Sequence, residues 1–107
     1  MSEPVLDLSE IVGMYKEDAR RSVERMRAAV QRWAEVGENG PAGQELRKLA
    51  HQLRGSGRTY GFRNVTRIGK ALEHLMIKLQ EKRLAADERL QKIMAAYIER
   101  LADIFKS

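Results

Sequence analysis

Apolar residues recur at threes and fours through four long blocks of this 107-residue chain, and the breaks between blocks are short. That spacing follows the 3.6-residue turn of an α-helix. In the first block Val12, Tyr15, Ala19, Val23, Met26, Val30 and Trp33 form one stripe, while Lys16, Arg20, Arg21, Arg25 and Arg32 largely occupy the other faces. Ser9 is a suitable N-cap with acidic Glu10 just inside it. Gly37, Gly40 and Pro41 in VGENGP supply a stop and the next start, because proline's missing N–H is not needed in a first turn. The second helix runs to about Tyr60, and Gly61 is the expected left-handed residue past its end. Val65, Ile68, Leu72, Leu75, Met76 and Leu79 make the third stripe, with Gly69 among them. A weaker break at Leu84–Asp87, with Asp87 as an N-cap, precedes Leu90, Ile93, Met94, Tyr97, Leu101, Ile104 and Phe105.

These patterns predict helices over roughly 9–36, 41–60, 62–82 and 87–105. The short second connection forces the middle helices into a hairpin, where Gly57 and Gly69 allow close approach. The expected fold class is all-α, an antiparallel up-down-up-down four-helix bundle, with 1–107 as a single domain. A hydrophobic content of 43% supports a modest core, and only two prolines interrupt the chain. The absence of cysteine excludes disulfides and thiolate chemistry and is compatible with a reducing compartment. No apolar run approaches the ~20 residues of a membrane span. The opening MSEPVLDLSE carries acids where a secretory signal would be basic and then apolar. A cytoplasmic protein is therefore expected. The net charge of +5 raises the question of nucleic acid, but 20 basic residues are interspersed with 15 acidic ones and no nucleic-acid motif is present. The expectation is no nucleic acid and no membrane.

One histidine does not fit the packing pattern. With Leu46 at zero and about 100° per residue, Leu49, Ala50, Leu53, Gly57 and Tyr60 cluster near that direction, whereas His51 lies roughly 140° away. Arg47, Arg54 and Arg58 share its face, and Gly55, four residues on, leaves a gap there. A lone surface histidine among charges is ordinarily only a solvated side chain. A glycine inside a helix, however, costs about 1 kcal/mol relative to alanine. Gly57 on the core stripe has a packing use; outward-facing Gly55 has none, and its natural role is to let another molecule approach His51.

Other chemistries find little support. GSG at 55–57 is followed by no Gly-Lys-Ser/Thr, so it is not a phosphate loop. His51 and His74 are 23 residues apart with no third ligand in view, so no metal site is expected. Ser56 is too near His51 in sequence for a triad. The methionines and aromatics fall almost entirely on core stripes. His74 points outward with no assigned role.

His51, Leu53, Arg54, Gly55, Ser56, Gly61, Leu72 and Glu73 resemble the signature of histidine-containing phosphotransfer (HPt) domains: H-x-L-K/R-G-S/A, a glycine ten residues after the histidine, then Leu-Glu in the following helix. Two departures are visible: arginine at 54 where lysine is commonest, and Gly69 where alanine or cysteine is usual. Arginine keeps the charge and adds a bidentate fork for phosphate.

The resemblance implies a phosphorelay carrier. His51 would accept a phosphoryl group from the phospho-aspartate of a receiver domain, in a hybrid histidine kinase or response regulator, and pass it to another receiver. Arg54 would steady the phosphate oxygens and Gly55 would admit the partner. Arg47 and Arg58 would attract its acidic pocket, and Glu73 joins the docking set or pairs with Arg54 or Lys70. The chain has no nucleotide site and needs no cofactor of its own, the receiver supplying Mg²⁺. It is expected to be a phosphocarrier and not an autonomous enzyme. The alternatives are the phospho-accepting N-terminal domain of a chemotaxis-type kinase and a helical adaptor without phosphate. The ending LADIFKS, with no linker beyond it, reads as a separate protein or a trimmed domain.

Overall fold

The computed structural model describes residues 7–36, 40–82 and 87–106, and these are helical apart from short turns. Four helices follow in order: α1 (Leu8–Val36), α2 (Pro41–Thr59), α3 (Arg63–Gln80) and α4 (Glu88–Ile104). No strand occurs among the described residues. Each helix packs on its neighbours in sequence, and α4 returns to α1; α1 with α3 and α2 with α4 make no such contact. One apolar core results, with Met26, Trp33, Leu46, Leu72, Met76, Met94, Leu101 and Phe105 at its fully buried centre.

The helix ends depart from expectation at one cap. Asp7, not Ser9, caps α1: its Oδ1 accepts the Glu10 amide at 2.8 Å, and the Ser9 hydroxyl donates to the same oxygen at 2.6 Å. An aspartate one residue ahead of the first turn reaches the free N–H groups, so the helix starts at Leu8 and leaves Ser9 inside it. Pro41 takes the first turn of α2 behind Gly40, as the sequence implies. Gly61 has φ +83°, the left-handed conformation that ends α2. The Asp87 carboxylate accepts the Leu90 amide at 2.9 Å and caps α4. Gly37 and the break residues 84–86 lie outside the described residues.

Two apolar residues are less buried than their stripes suggest, and a third, Met14, is exposed off any stripe. Tyr60 is 38% exposed because it is the C-cap beyond α2, and it stacks on Tyr15 with ring centroids 4.3 Å apart. Ile93 (41% exposed) falls on the outer edge of the α4 stripe, and Met14 lies wholly off the α1 stripe.

The α2–α3 contact carries the site, and two glycines set its closeness. A Cβ on Gly69 would come within 2.8 Å of the Arg54 amide nitrogen and 2.9 Å of the Ala50 carbonyl oxygen. A Cβ on Gly57 would come within 3.0 Å of the Thr66 amide nitrogen. The Thr66 hydroxyl fills the remaining space and donates to the Arg54 carbonyl at 3.0 Å. Backbone therefore approaches backbone, which only glycine permits. The outer helices are tied by charge: Arg25 pairs with Glu45 across α1 and α2, and Arg27 grips Glu99 of α4 through two N–H groups, each at 2.7 Å.

Candidate functional site

α2 turns His51 outward, and 70% of its side chain is exposed. Eleven residues before Phe62 comes His51, and eleven after it comes Glu73. The tight turn at Gly61 brings these two positions side by side. Glu73 Oε2 lies 2.6 Å from His51 Nδ1, and Glu73 Oε1 accepts from Arg54 Nη1 at 2.9 Å. Only 9% of the Glu73 side chain is exposed. Burial by itself pushes the Glu73 carboxyl up, but the hydrogen bonds from Arg54 and His51 outweigh it and hold the group below the ordinary carboxylate range. An ionised carboxylate has no proton to donate, so the hydrogen atom of the contact resides on Nδ1. The neutral ring then keeps its lone pair on Nε2, which has no hydrogen-bond partner among the described residues.

The residues singled out in the sequence do not all have the same place. His51, Arg54 and Glu73 form one connected cluster. A Cβ on Gly55 would meet nothing within 4 Å, so the surface beside the histidine is open there. Arg47 lies one turn before His51 and donates from Nη1 to Gln80 Oε1 at 2.8 Å. Together with Gln44, Lys48, His51 and Glu73, these two line a shallow depression. Arg58 is exposed near the end of α2. Glu73, expected in the docking set or paired with Arg54 or Lys70, is buried beneath His51 and Arg54. Of the two pairings considered for it, that with Arg54 is present.

The contact between Glu73 and His51 was missed in the sequence. Two signals carry it: a charged residue at the edge of the apolar α3 stripe, and the eleven residues that separate each of the two from Phe62. Ser56, next to Gly55, is engaged elsewhere, since its hydroxyl lies 3.0 Å from the Tyr15 phenol oxygen and so ties α1 to the histidine-bearing helix. Among the described residues no group of three or more His, Asp or Glu side chains could hold a metal ion. No helix there is long and apolar enough to cross a membrane.

No curated protein and no solved structure matches the chain significantly. A family model described as the Hpt domain does match it, over residues 10–104, which takes in α2, α3 and α4 whole and all but the first two residues of α1. With a match of that extent, the chain belongs to the Hpt family, whose domains carry phosphoryl groups on histidine in phosphorelays.

Proposed function

We propose that His51 is the phosphoryl acceptor and that Nε2 is the atom that forms the bond. The observation that carries this reading is the 2.6 Å contact between Glu73 and Nδ1. It fixes the ring orientation, occupies one nitrogen and leaves the other as an exposed nucleophile. The donor is the acyl phosphate of a receiver's phospho-aspartate. The Nε2 lone pair attacks phosphorus, the bond from phosphorus to the aspartyl oxygen breaks, and the aspartate leaves as a carboxylate. The ring becomes a cation with its proton still on Nδ1, and the Glu73 carboxylate beside it balances that charge. Phosphoryl transfer has a loose, anionic transition state, so an acceptor contributes mainly position and charge. Arg54 spends one N–H on Glu73, and its remaining N–H groups are available to the phosphate oxygens. Return transfer to a second receiver is the same step reversed.

Hpt domains are phosphocarriers that work with receiver domains. In this reading the partners are receivers of a hybrid histidine kinase and of response regulators, which bring Mg²⁺ and its aspartates; the chain brings no cofactor. The setting is the cytoplasm. The whole chain acts as one Hpt domain, supported by the single core that joins all four helices. Its bundle is antiparallel, up-down-up-down. Across α2 and α3 the partners are 57 with 66, 51 with 73 and 47 with 80; across α1 and α4 they are 20 with 105 and 27 with 99. In both series one number rises as the other falls.

The test is labelling by a phosphorylated receiver. The expected product is acid-labile and alkali-stable, as a phosphohistidine is. His51→Gln should take no label while remaining folded, with a stability loss of at most about 1.5–3 kcal/mol from the weakened hydrogen bond to Glu73. A His51→Gln protein that labels at the normal rate would remove His51 from the role and turn attention to His74.

A further inference from the structure

The charge of this molecule is segregated. Residues 41–80, which span α2 and α3, hold eight Lys and Arg against two acids, Glu45 and Glu73. The remaining residues hold twelve Lys and Arg against thirteen acids, so the whole net positive charge resides in the central hairpin. Neither hairpin acid offsets it at the outer surface of α3: Glu45 pairs with Arg25 of α1, and Glu73 is buried under His51 and Arg54. Elsewhere the pattern differs. Arg20 pairs with Glu17, Arg21 with Asp18, Arg27 with Glu24 and Glu99, and Lys92 with Glu88.

On α3, Arg63, Arg67, Lys70, His74 and Lys78 are all exposed, and none pairs with an acid among the described residues. At about 100° per residue they fall within an arc of about 80°, and at ~1.5 Å per residue they extend over about 22 Å. Gly69 and Glu73, which face α2, lie outside that arc. The ridge ends at Glu81, the C-cap. Arg63, Arg67 and Lys70 follow at spacings of four and three, where like charges destabilise a helix; only Lys78, in the last turn, suits the helix end. Basic side chains at α3 positions that a packed bundle leaves free are therefore explained better by a partner than by folding.

We propose that the outward ridge of α3 is an electrostatic steering surface for an acidic protein partner, the receiver itself. It sets how fast the complex forms and takes no part in the transfer chemistry. This rests on the carrier reading of His51. α2, packed directly on α3, carries Arg47, Lys48, Arg54 and Arg58, so the field of the ridge adds to that around the histidine. A partner that must present a carboxylate-rich pocket to His51 is drawn to this half of the bundle and not to the neutral α1–α4 half. Steering of this kind raises association rates by about ten- to a thousandfold at low ionic strength and fades with salt.

The experiment measures phosphotransfer from a receiver domain, charged with a small-molecule phosphodonor, across a range of ionic strength. One variant carries Arg63→Gln, Arg67→Gln, Lys70→Gln and Lys78→Gln; a control carries Arg21→Gln, Arg32→Gln, Arg89→Gln and Lys92→Gln. The ridge variant should show kcat/KM about tenfold lower at low salt. The loss should lie in KM, with kcat within about twofold, and should close as salt approaches about 0.5 M, where charges beyond a few ångströms are screened. The control should match the wild type. An unchanged kcat/KM in the ridge variant, or an equal loss in the control, overturns the proposal while the labelled wild type upholds the carrier reading. If the wild type takes no label, the carrier reading fails and the ridge proposal with it. Binding of a fluorescent DNA duplex by the wild type, lost in the ridge variant at the same salt, overturns it in favour of nucleic acid.

Discussion

The Glu73 carboxylate bridges His51 Nδ1 and Arg54 Nη1, at 2.6 and 2.9 Å, from beneath an otherwise exposed histidine. The imidazole is thereby oriented from the neighbouring helix, and the same carboxylate holds the arginine that would meet the phosphate in the proposed transfer. Hydrogen bonds to a charged group contribute about 1.5–3 kcal/mol each, so this bridge is stronger than the surface ion pairs on α1.

Glu73→Gln should slow phosphotransfer by about ten- to a hundredfold, which is what 1.5–3 kcal/mol amounts to in a rate. The amide retains a hydrogen bond but cannot balance the cationic ring. Single-turnover transfer from a phospho-receiver measures this, and an unchanged rate would leave Glu73 a structural role only.

The same substitution has a pH signature. The folded-state pKa of Glu73 is lowered from its ordinary value of 4.5. A depressed carboxylate contributes stability that is fully present above the unfolded pKa and lost as pH falls through the folded one. Wild-type stability should therefore decline below about pH 4.5, and Glu73→Gln should flatten that part of the decline. Thermal melts of both proteins between neutral and acid pH give the comparison.

Arg54→Ala should lower the transfer rate by about tenfold or more without abolishing it, and Arg54→Lys should recover part of the loss because it restores charge but not the fork. Equal rates for all three proteins would take Arg54 out of the mechanism.

Gly55→Leu should raise helix stability by up to about 1 kcal/mol, since leucine is the better helix former and a Cβ at this position meets nothing within 4 Å. If the gap admits the receiver, transfer should fall sharply at the same time. A protein that melts higher and transfers normally would show that the gap has no docking function.

Gly69→Ala is expected to move stability the other way. Its Cβ would press on the Arg54 amide and the Ala50 carbonyl, both backbone atoms that cannot swing aside. Overpacking costs about 1–3 kcal/mol, which exceeds the ~1 kcal/mol gained from helix propensity. The melting temperature should drop by several degrees, about 4–8 °C per kcal/mol for a domain of this size. A melt at or above the wild type would mean that α2 and α3 can separate without cost.

Much of this was readable from spacing alone, because a helix with one buried stripe writes its core into the sequence every three or four residues. Leu46, Leu53, Leu72 and Met76 are buried as their positions imply, and Gly61 is left-handed as a helix stop requires. Local rules decided less well where two candidates competed: Asp7 and Ser9 can both cap α1, and the choice depends on where the first turn closes. Periodicity also treats a stripe as wider than it is, which put Ile93 and Tyr60 inside. The role of Glu73 was the least legible, because it depends on the register between two helices. The sequence left it between docking and a pairing with Arg54 or Lys70; only the packing of α3 on α2 shows that it lies under His51.

That register has a consequence for how the chain can vary. His51 and Glu73 meet because each stands eleven residues from Phe62, in the turn between α2 and α3. Inserting a single residue within α2 or α3 between them would rotate one partner by about 100° and slide it by ~1.5 Å, carrying the carboxylate away from the ring. The length of chain between the two is thus as much a part of the geometry of the site as any side chain. Lineages of this hairpin should accept substitutions at its surface far more readily than insertions or deletions, and a graft into another bundle would need the whole stretch from Arg47 to Gln80, turn included.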